Sequence, residues 1–202
     1  MHKEKQGFGD SAVATLQTKA DDQEQVSIAG YYHVECRDAA GNLKWEEEFP
    51  NLVVAVGKQL MLDTLLRTSG TYTTTGPYLG LISGSSNTFA ATDTMTSHAG
   101  WAEFINYTVG GSAVRGTAVF SASSSTGTSP SNVTTSSATA ITYTITGAGG
   151  TVGGCFLVTG PSASSTIGNT GGTLYSAGDF ATAKVTTAGD TVSVTYSTTA
   201  TS

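Results

Sequence analysis

Residues able to act as acid, base, nucleophile or metal ligand are few and scattered along this chain. The densest group is Asp93, His98, Trp101 and Glu103. An Asp-His pair of this kind can orient and polarise a serine hydroxyl, and serines are abundant, but no Gly-x-Ser-x-Gly elbow supplies the strand-to-helix turn that would present one. The cluster therefore reads as structural, with His98 and Trp101 anchoring a long connection onto a sheet and the indole N–H of Trp101 meeting a carbonyl. A metal centre needs converging ligands. His2, His33 and His98 are far apart, and neither Cys-x-x-Cys nor His-Glu-x-x-His spacing occurs, so no metal and no cofactor is expected. Glu46, Glu47 and Glu48 follow Trp45 on a short predicted strand, where alternation puts only Glu46 and Glu48 on one face. They read as a solvated edge that discourages strand pairing, not as a glycosidase pair. Cys36 and Cys155 are either two half-buried free thiols or one disulfide, and their spacing leaves both readings open. Gly147 to Gly154 lacks the helix and the Lys-Ser/Thr of a phosphate loop and reads as a hairpin turn or bulge.

The elements around these residues are mostly β. Charged residues are 12% of the chain, about half the share of an ordinary soluble domain at roughly 25%. Between Arg115 and Asp179 there is no Lys, Arg, Asp or Glu at all. Ile141, Tyr143 and Ile145 alternate with threonines, and Val192, Val194 and Tyr196 alternate with Ser and Thr. One face is apolar and the other hydroxylated, as an antiparallel sandwich requires. A hairpin with Gly-Asn at its turn is expected over 28–49, and further strands over 78–82, 117–122, 139–146, 152–159, 173–176, 183–187 and 191–198. The stretch 121–137, nearly all Ser, Thr and Gly, reads as a long exposed loop. One helix is expected over 54–67, where Val54, Leu60, Met61, Leu65 and Leu66 recur near helical spacing. Gly57 argues for a start after it. The expected fold is mainly β: an antiparallel sandwich or jelly-roll-like domain over 28–202, with one short helix and an extended polar N-terminal arm over 1–27. Within that arm Phe8, Val13 and Leu16 are the apolar groups that would touch a partner if it is more than a floppy tail.

The net charge of −6 removes the cationic surface that nucleic-acid binding needs, so no nucleic-acid partner is expected. The longest apolar run, near Leu52 to Val56, is far short of the roughly 20 residues that span a bilayer, and no membrane partner is expected. Met1 to Gly9 has lysines but no apolar core and is not read as a secretory signal.

The runs GYYHVECRDAAGNLKWEEEFPNLVVAVG, PYLGLISGSS, DTMTSHAGWAEF, GGCFLVTG, GGTLYSAGDF and GDTVSVTYS, taken in order, resemble a family of small virion proteins of tailed bacteriophages. The resemblance covers most of residues 28–198 and leaves the polar arm outside. It implies a structural component of the virion without enzymatic activity. The matching positions Trp45, Gly57, Gly80, His98, Trp101 and Gly172 look structural, and no catalytic or binding residue carries over. A capsid decoration or cement protein is the first expectation, binding and stabilising the assembled shell through its arm and β domain. Its partners would be the major capsid protein or the neck and tail proteins of the same particle, and it would form a homo-oligomer, a dimer or trimer. The alternatives are a neck, collar or tail-fibre subunit and a lectin-like domain using Tyr72, Tyr78 or Tyr107 to stack on sugars.

Overall fold

The structure, a computed structural model, describes residues 27–67, 75–124, 131–133 and 140–201. In chain order the elements are β1 (Ser27–Arg37), β2 (Leu43–Pro50), β3 (Leu52–Val53), α1 (Ala55–Leu66), β4 (Tyr78–Ser83), β5 (Ala102–Glu103) and β6 (Tyr107–Thr108). They continue with β7 (Gly116–Thr117), β8 (Ser131–Val133), β9 (Ile141–Ile145), β10 (Gly150–Thr159), β11 (Thr173–Thr186) and β12 (Thr191–Thr201). Two antiparallel sheets result. The first runs β2-β1-β12-β9-β6 with β8 also on β12, and the second runs β3-β11-β10-β4-β5 with β7 also on β4.

Alternation builds the space between them. Tyr32, Val34 and Cys36 of β1 and Val192, Val194 and Tyr196 of β12 point inward, against Leu79, Leu81, Cys155 and Leu157 of the second sheet. On β9 and β12 the intervening residues tile the opposite face with hydroxyls, such as Thr142 and Ser193, whose side chains are 3.2 Å apart, whereas β1 places His33 and Glu35 there. The second sheet is apolar on both faces, which explains the unbroken run Cys155-Phe156-Leu157-Val158. Phe156 and Val158 pack outward with Val54, Ile82, Met95, Trp101 and Leu174, beneath α1 and the loop carrying Trp101. A third layer of helix and loop therefore lies on the sandwich, and it holds Asp93, His98 and Trp101, while Glu103 sits on β5 at the edge of the second sheet.

Several expected boundaries change. The strands expected at 173–176 and 183–187 are one strand, β11. Gly178-Asp179 resembles a turn in sequence, but a side chain at Gly178 would come within 2.8 Å of the Pro50 carbonyl, so this glycine serves a close strand crossing. The expected strand at 117–122 is only the two-residue β7. Part of the 121–137 stretch is strand β8, paired through Asn132 with Thr198; residues 125–130 and 134–139 lie outside the described ones. Thr146 to Gly149 carries the chain from the first sheet to the second and is not a hairpin turn, although β10 does hold a bulge between Val152 and Gly154. The helix begins at Ala55, ahead of Gly57.

The ends of the sandwich are tied by polar contacts. Asp38 builds the first hairpin turn, its Oδ1 accepting from the N–H groups of Ala40 and Asn42 while Gly41 takes φ +88°. At the same end, in the connection from β11 to β12, Asp190 is buried, and its Oδ2 accepts from Lys44 Nζ at 2.5 Å and from the Thr187 N–H at 2.8 Å. Burial opposes ionisation of Asp190, but the Lys44 and Thr187 bonds outweigh it and hold its carboxyl below the usual carboxylate range. Its stabilising contribution is thus complete above the unfolded pKa of about 3.9 and is lost as pH falls through the lower folded value. Asp190→Asn should cost about 1–3 kcal/mol at neutral pH and flatten the acid limb of the stability curve, as read by urea denaturation from pH 7 to 3. An unchanged acid limb would remove Asp190 from the account.

Candidate functional site

The polar cluster of the third layer is assembled by the loop leading into β5 and by the segment before β7. Asp93 Oδ2 accepts from the Trp101 indole N–H at 3.1 Å and from the Ala90 N–H at 3.1 Å. The Nδ1–H of His98 donates to the Trp101 carbonyl at 3.0 Å, and its ring stacks on the indole with centroids 3.9 Å apart. Asp93 and His98 thus do not hydrogen-bond each other, and both address Trp101. Trp101 packs on Phe156 of β10 with centroids 5.3 Å apart, and its indole partner, expected to be a carbonyl, is the Asp93 carboxylate, because the loop folds Asp93 back toward the indole N–H.

Glu103 has a partner the sequence did not indicate. Arg115 is fully buried, and its guanidinium makes a two-point contact with Glu103, Nε to Oε1 and Nη2 to Oε2, each 2.8 Å. The remaining donors reach the carbonyls of Ser164 and Asn169, and the Gly168 N–H donates to Glu103 Oε2 at 2.7 Å. The cation also lies 5.2 Å above the Phe156 ring. These bonds clamp the 161–172 loop to the second sheet, with each guanidinium edge matched to an acceptor. A carboxylate held at both oxygens in this way is poorly placed to move a proton. The one sequence signal for Arg115 was its position as the last charge before the uncharged half.

Among the three consecutive glutamates, Glu46 bonds His33 at 2.7 Å on the exposed face. Glu47 is instead directed to the neighbouring sheet, accepting from the Ala181 N–H at 2.6 Å and pairing with Lys184 at 2.7 Å. It thereby covers an otherwise open N–H on the edge of β11, a role that alternation alone does not reveal. Trp45 packs edge-on against Phe180 in the core margin.

Cys36 and Cys155 are both buried and free. Burial, reinforced by the Asp190 charge, pushes the Cys36 thiol up to about 11, and burial alone pushes Cys155 well above the ordinary thiol value. Neither thiol should react with a disulfide reagent such as DTNB in the native protein at pH 7.5, and both should react once guanidinium unfolds it. A count of zero after unfolding without reductant would mean a disulfide instead.

Of the aromatic residues considered for sugar stacking, Tyr107 is buried against Tyr143 with centroids 4.9 Å apart and cannot present a face. Tyr78 is half-buried, and Tyr72 lies outside the described residues, as do Phe8, Val13, Leu16 and His2. Among the described residues, no group of three His, Cys, Asp or Glu side chains could hold a metal ion, and no helix is long and apolar enough to cross a membrane.

The surface that stands out is α1. Gly57 and Leu60 are its buried residues, whereas Leu62, Leu65 and Leu66 are 59%, 80% and 68% exposed and Met61 is 37% exposed. The apolar spacing that predicted the helix is real in sequence, but Leu65 and Leu66 do not reach the core. Positions 61, 62, 65 and 66 are three or four apart and so form one contiguous patch. A groove lined by Pro77, Phe120, Leu157, Tyr175 and Tyr196 opens beside it, at the end of the sandwich. Tyr175 joins the two, its hydroxyl 3.6 Å from Met61 Sδ. Contiguous apolar surface of this kind marks a place where another chain segment packs. No protein-family model, no curated protein and no solved structure matches the chain.

Proposed function

We propose that this protein is a non-enzymatic structural component of a tailed-phage particle, most economically a decoration protein that attaches to the assembled shell. The observation that carries the reading is the exposed leucine patch on α1 in a chain whose best candidate catalytic cluster is engaged in structural bonds. Asp93 and His98 both hold Trp101, and Glu103 is held by Arg115. The resemblance of several sequence runs to small virion proteins suggests the class of partner, a subunit of the major capsid protein. The low charge and the hydroxylated outer sheet face suit a protein packed among many identical neighbours. A neck or tail-fibre location draws on the same apolar patch and differs in copy number.

Two measurements test the proposal. Quantitative mass spectrometry of purified particles should give a copy number on the scale of the major capsid protein; a copy number matching a single vertex would move the protein to the neck or tail, and absence from particles would end the virion reading. The triple variant Leu62→Gln, Leu65→Gln, Leu66→Gln should remain folded, since the three side chains are exposed. It should also lose about a hundredfold or more in affinity for shells stripped of the protein. Undiminished binding by the folded variant would overturn attachment through α1.

A further inference from the structure

On the outer side of the second sheet, between the loop that carries Trp101 and the 161–172 loop, lies a cavity of about 320 Å³. Met95, Trp101, Ile105 and Phe156 give it apolar walls. The two charges that border it, Arg115 and Glu103, neutralise each other through their two-point contact, so the cavity offers no net charge to a ligand. Its polar capacity sits in three neutral side chains. His98 commits its Nδ1–H to the Trp101 carbonyl, which leaves Nε2 of the neutral ring as an acceptor. Asn169 uses Oδ1 to accept from the Gly171 N–H, which leaves its Nδ2 donors. The exposed Thr170 hydroxyl can donate or accept. Among the described residues these three groups have no partner.

That combination selects a ligand. A sugar would bring several hydroxyls against Met95, Ile105 and Phe156, where nothing pairs with them, and a charged group would lose its hydration without gaining a counter-charge. A purely aliphatic group would leave His98 Nε2 and the Asn169 amide unpaired. An aromatic ring bearing one hydroxyl meets both halves of the cavity. The ring packs on Met95 and on Trp101 and Phe156, whose centroids are 5.3 Å apart with the planes inclined at 40°. The hydroxyl donates to His98 Nε2 and accepts from Asn169 or Thr170. Size agrees, since about 300 Å³ is the lower end for ligand pockets and suits one ring better than a fused multi-ring molecule. The rim shows how the ring arrives. Ile105 is 62% exposed, and Ala102 on β5 is exposed as well. A chain carrying the ring would cover this apolar rim and exclude water from it, whereas a free molecule would leave it wet.

We propose that the cavity is a docking pocket for a tyrosine side chain presented by a partner chain, with Met95, Trp101 and Phe156 packing on the ring and His98 Nε2 accepting from its hydroxyl. The pocket is separate from the leucine patch of α1, and the proposal does not depend on what that patch meets.

Methionine-methyl NMR of the full-length chain reads the pocket directly, because the chain has three methionines. Met95 lines the cavity, and Met61 on α1 is the internal control. N-acetyltyrosine methylamide should shift the Met95 signal with a Kd of about 1 mM and leave Met61 in place. N-acetylphenylalanine methylamide should bind about five- to tenfold more weakly, because it lacks the hydroxyl. p-Cresol, which has the ring and hydroxyl but no main chain to lie on the rim, should also bind more weakly. Ile105→Ser should weaken the blocked tyrosine by about threefold or more and leave p-cresol unchanged. His98→Asn keeps a donor where Nδ1 stood and removes Nε2, so it should bring the blocked tyrosine down to the affinity of the blocked phenylalanine. Ile105→Ser alters an exposed side chain only, so the test stands even where His98→Asn loosens the Trp101 loop. An unmoved Met95 signal at about 10 mM probe, or a shift of Met61 in its place, would overturn the proposal. Equal binding of the two blocked amino acids would overturn the role of the hydroxyl and the proposal with it. p-Cresol binding as tightly as the blocked tyrosine would assign the pocket to free phenols and overturn the docking of a partner chain. Shells take no part in these readouts, so this result and that of the attachment experiment can fail separately.

Discussion

Arg115→Ala should destabilise the folded chain by about 3–5 kcal/mol, the effect expected when one partner of a buried ion pair is removed and the other stays. The truncation leaves Glu103 facing an apolar wall formed in part by Phe156, and it leaves the Ser164 and Asn169 carbonyls without their donor. Glu103 keeps only the Gly168 N–H. The cost is therefore the penalty of an uncompensated buried carboxylate, and it exceeds the net worth of the pair. A second variant separates the two quantities. Arg115→Met with Glu103→Leu removes both charges and retains volume, so it should recover a large part of the loss. Urea denaturation at pH 7 reads both. A loss below about 1 kcal/mol in Arg115→Ala would show that solvent reaches Glu103 and that the clamp is a surface pair in effect. Because the clamp holds the 161–172 loop, Arg115→Ala should also raise amide exchange across 164–170 before global unfolding.

What could be read in the sequence follows from how local each signal is. The period-two alternation of β9 and β12 reports directly which side chains face the core, and it predicted the sandwich, because register is fixed wherever one face is buried. The first hairpin was legible for the same reason, with Asp38, Gly41 and Asn42 carrying their turn chemistry in their own side chains and φ angles. The stretch 173–187 was divided into two strands where one runs through, because a glycine such as Gly178 serves both turns and close crossings, and only the position of Pro50 on another strand tells which. The third layer was legible as a cluster of anchors but not as a mechanism. The capture of Asp93 by Trp101 depends on a loop fold, and the Arg115–Glu103 contact joins β5 to the residue just ahead of β7, two short strands that both border β4. The helix shows the sharpest limit. Its apolar spacing gave the element and its length, yet periodicity cannot distinguish a stripe that faces a core from one that awaits a partner, since the side chains are the same.

Gly57→Ala should destabilise the protein by about 1–3 kcal/mol, the opposite of what the helix itself would dictate. In a helix interior, replacing Gly by Ala normally gains about 0.5–1 kcal/mol by lowering the entropy of the unfolded chain. Here a methyl group would come within 2.5 Å of the Tyr175 carbonyl oxygen and 2.9 Å of the Tyr175 Cα. Both are backbone atoms of β11 at its pairing with β3, so no side-chain rotation relieves the contact and the helix must move off the sheet. The movement would strain the Val54 N–H bond to the same carbonyl, now 3.1 Å, and unseat Leu60. Gln59→Ala, on the exposed side of the same helix, is the matched control and should change stability by no more than about 0.5 kcal/mol. A stabilised Gly57→Ala protein with unchanged Leu60 burial would show that the sheet yields and that the close approach is incidental. The same contact decides how α1 presents its surface. With the bare backbone of Gly57 seated on β11, the side of the helix away from the sheet turns Leu62 and Leu66 to solvent, with Leu65 exposed on its flank.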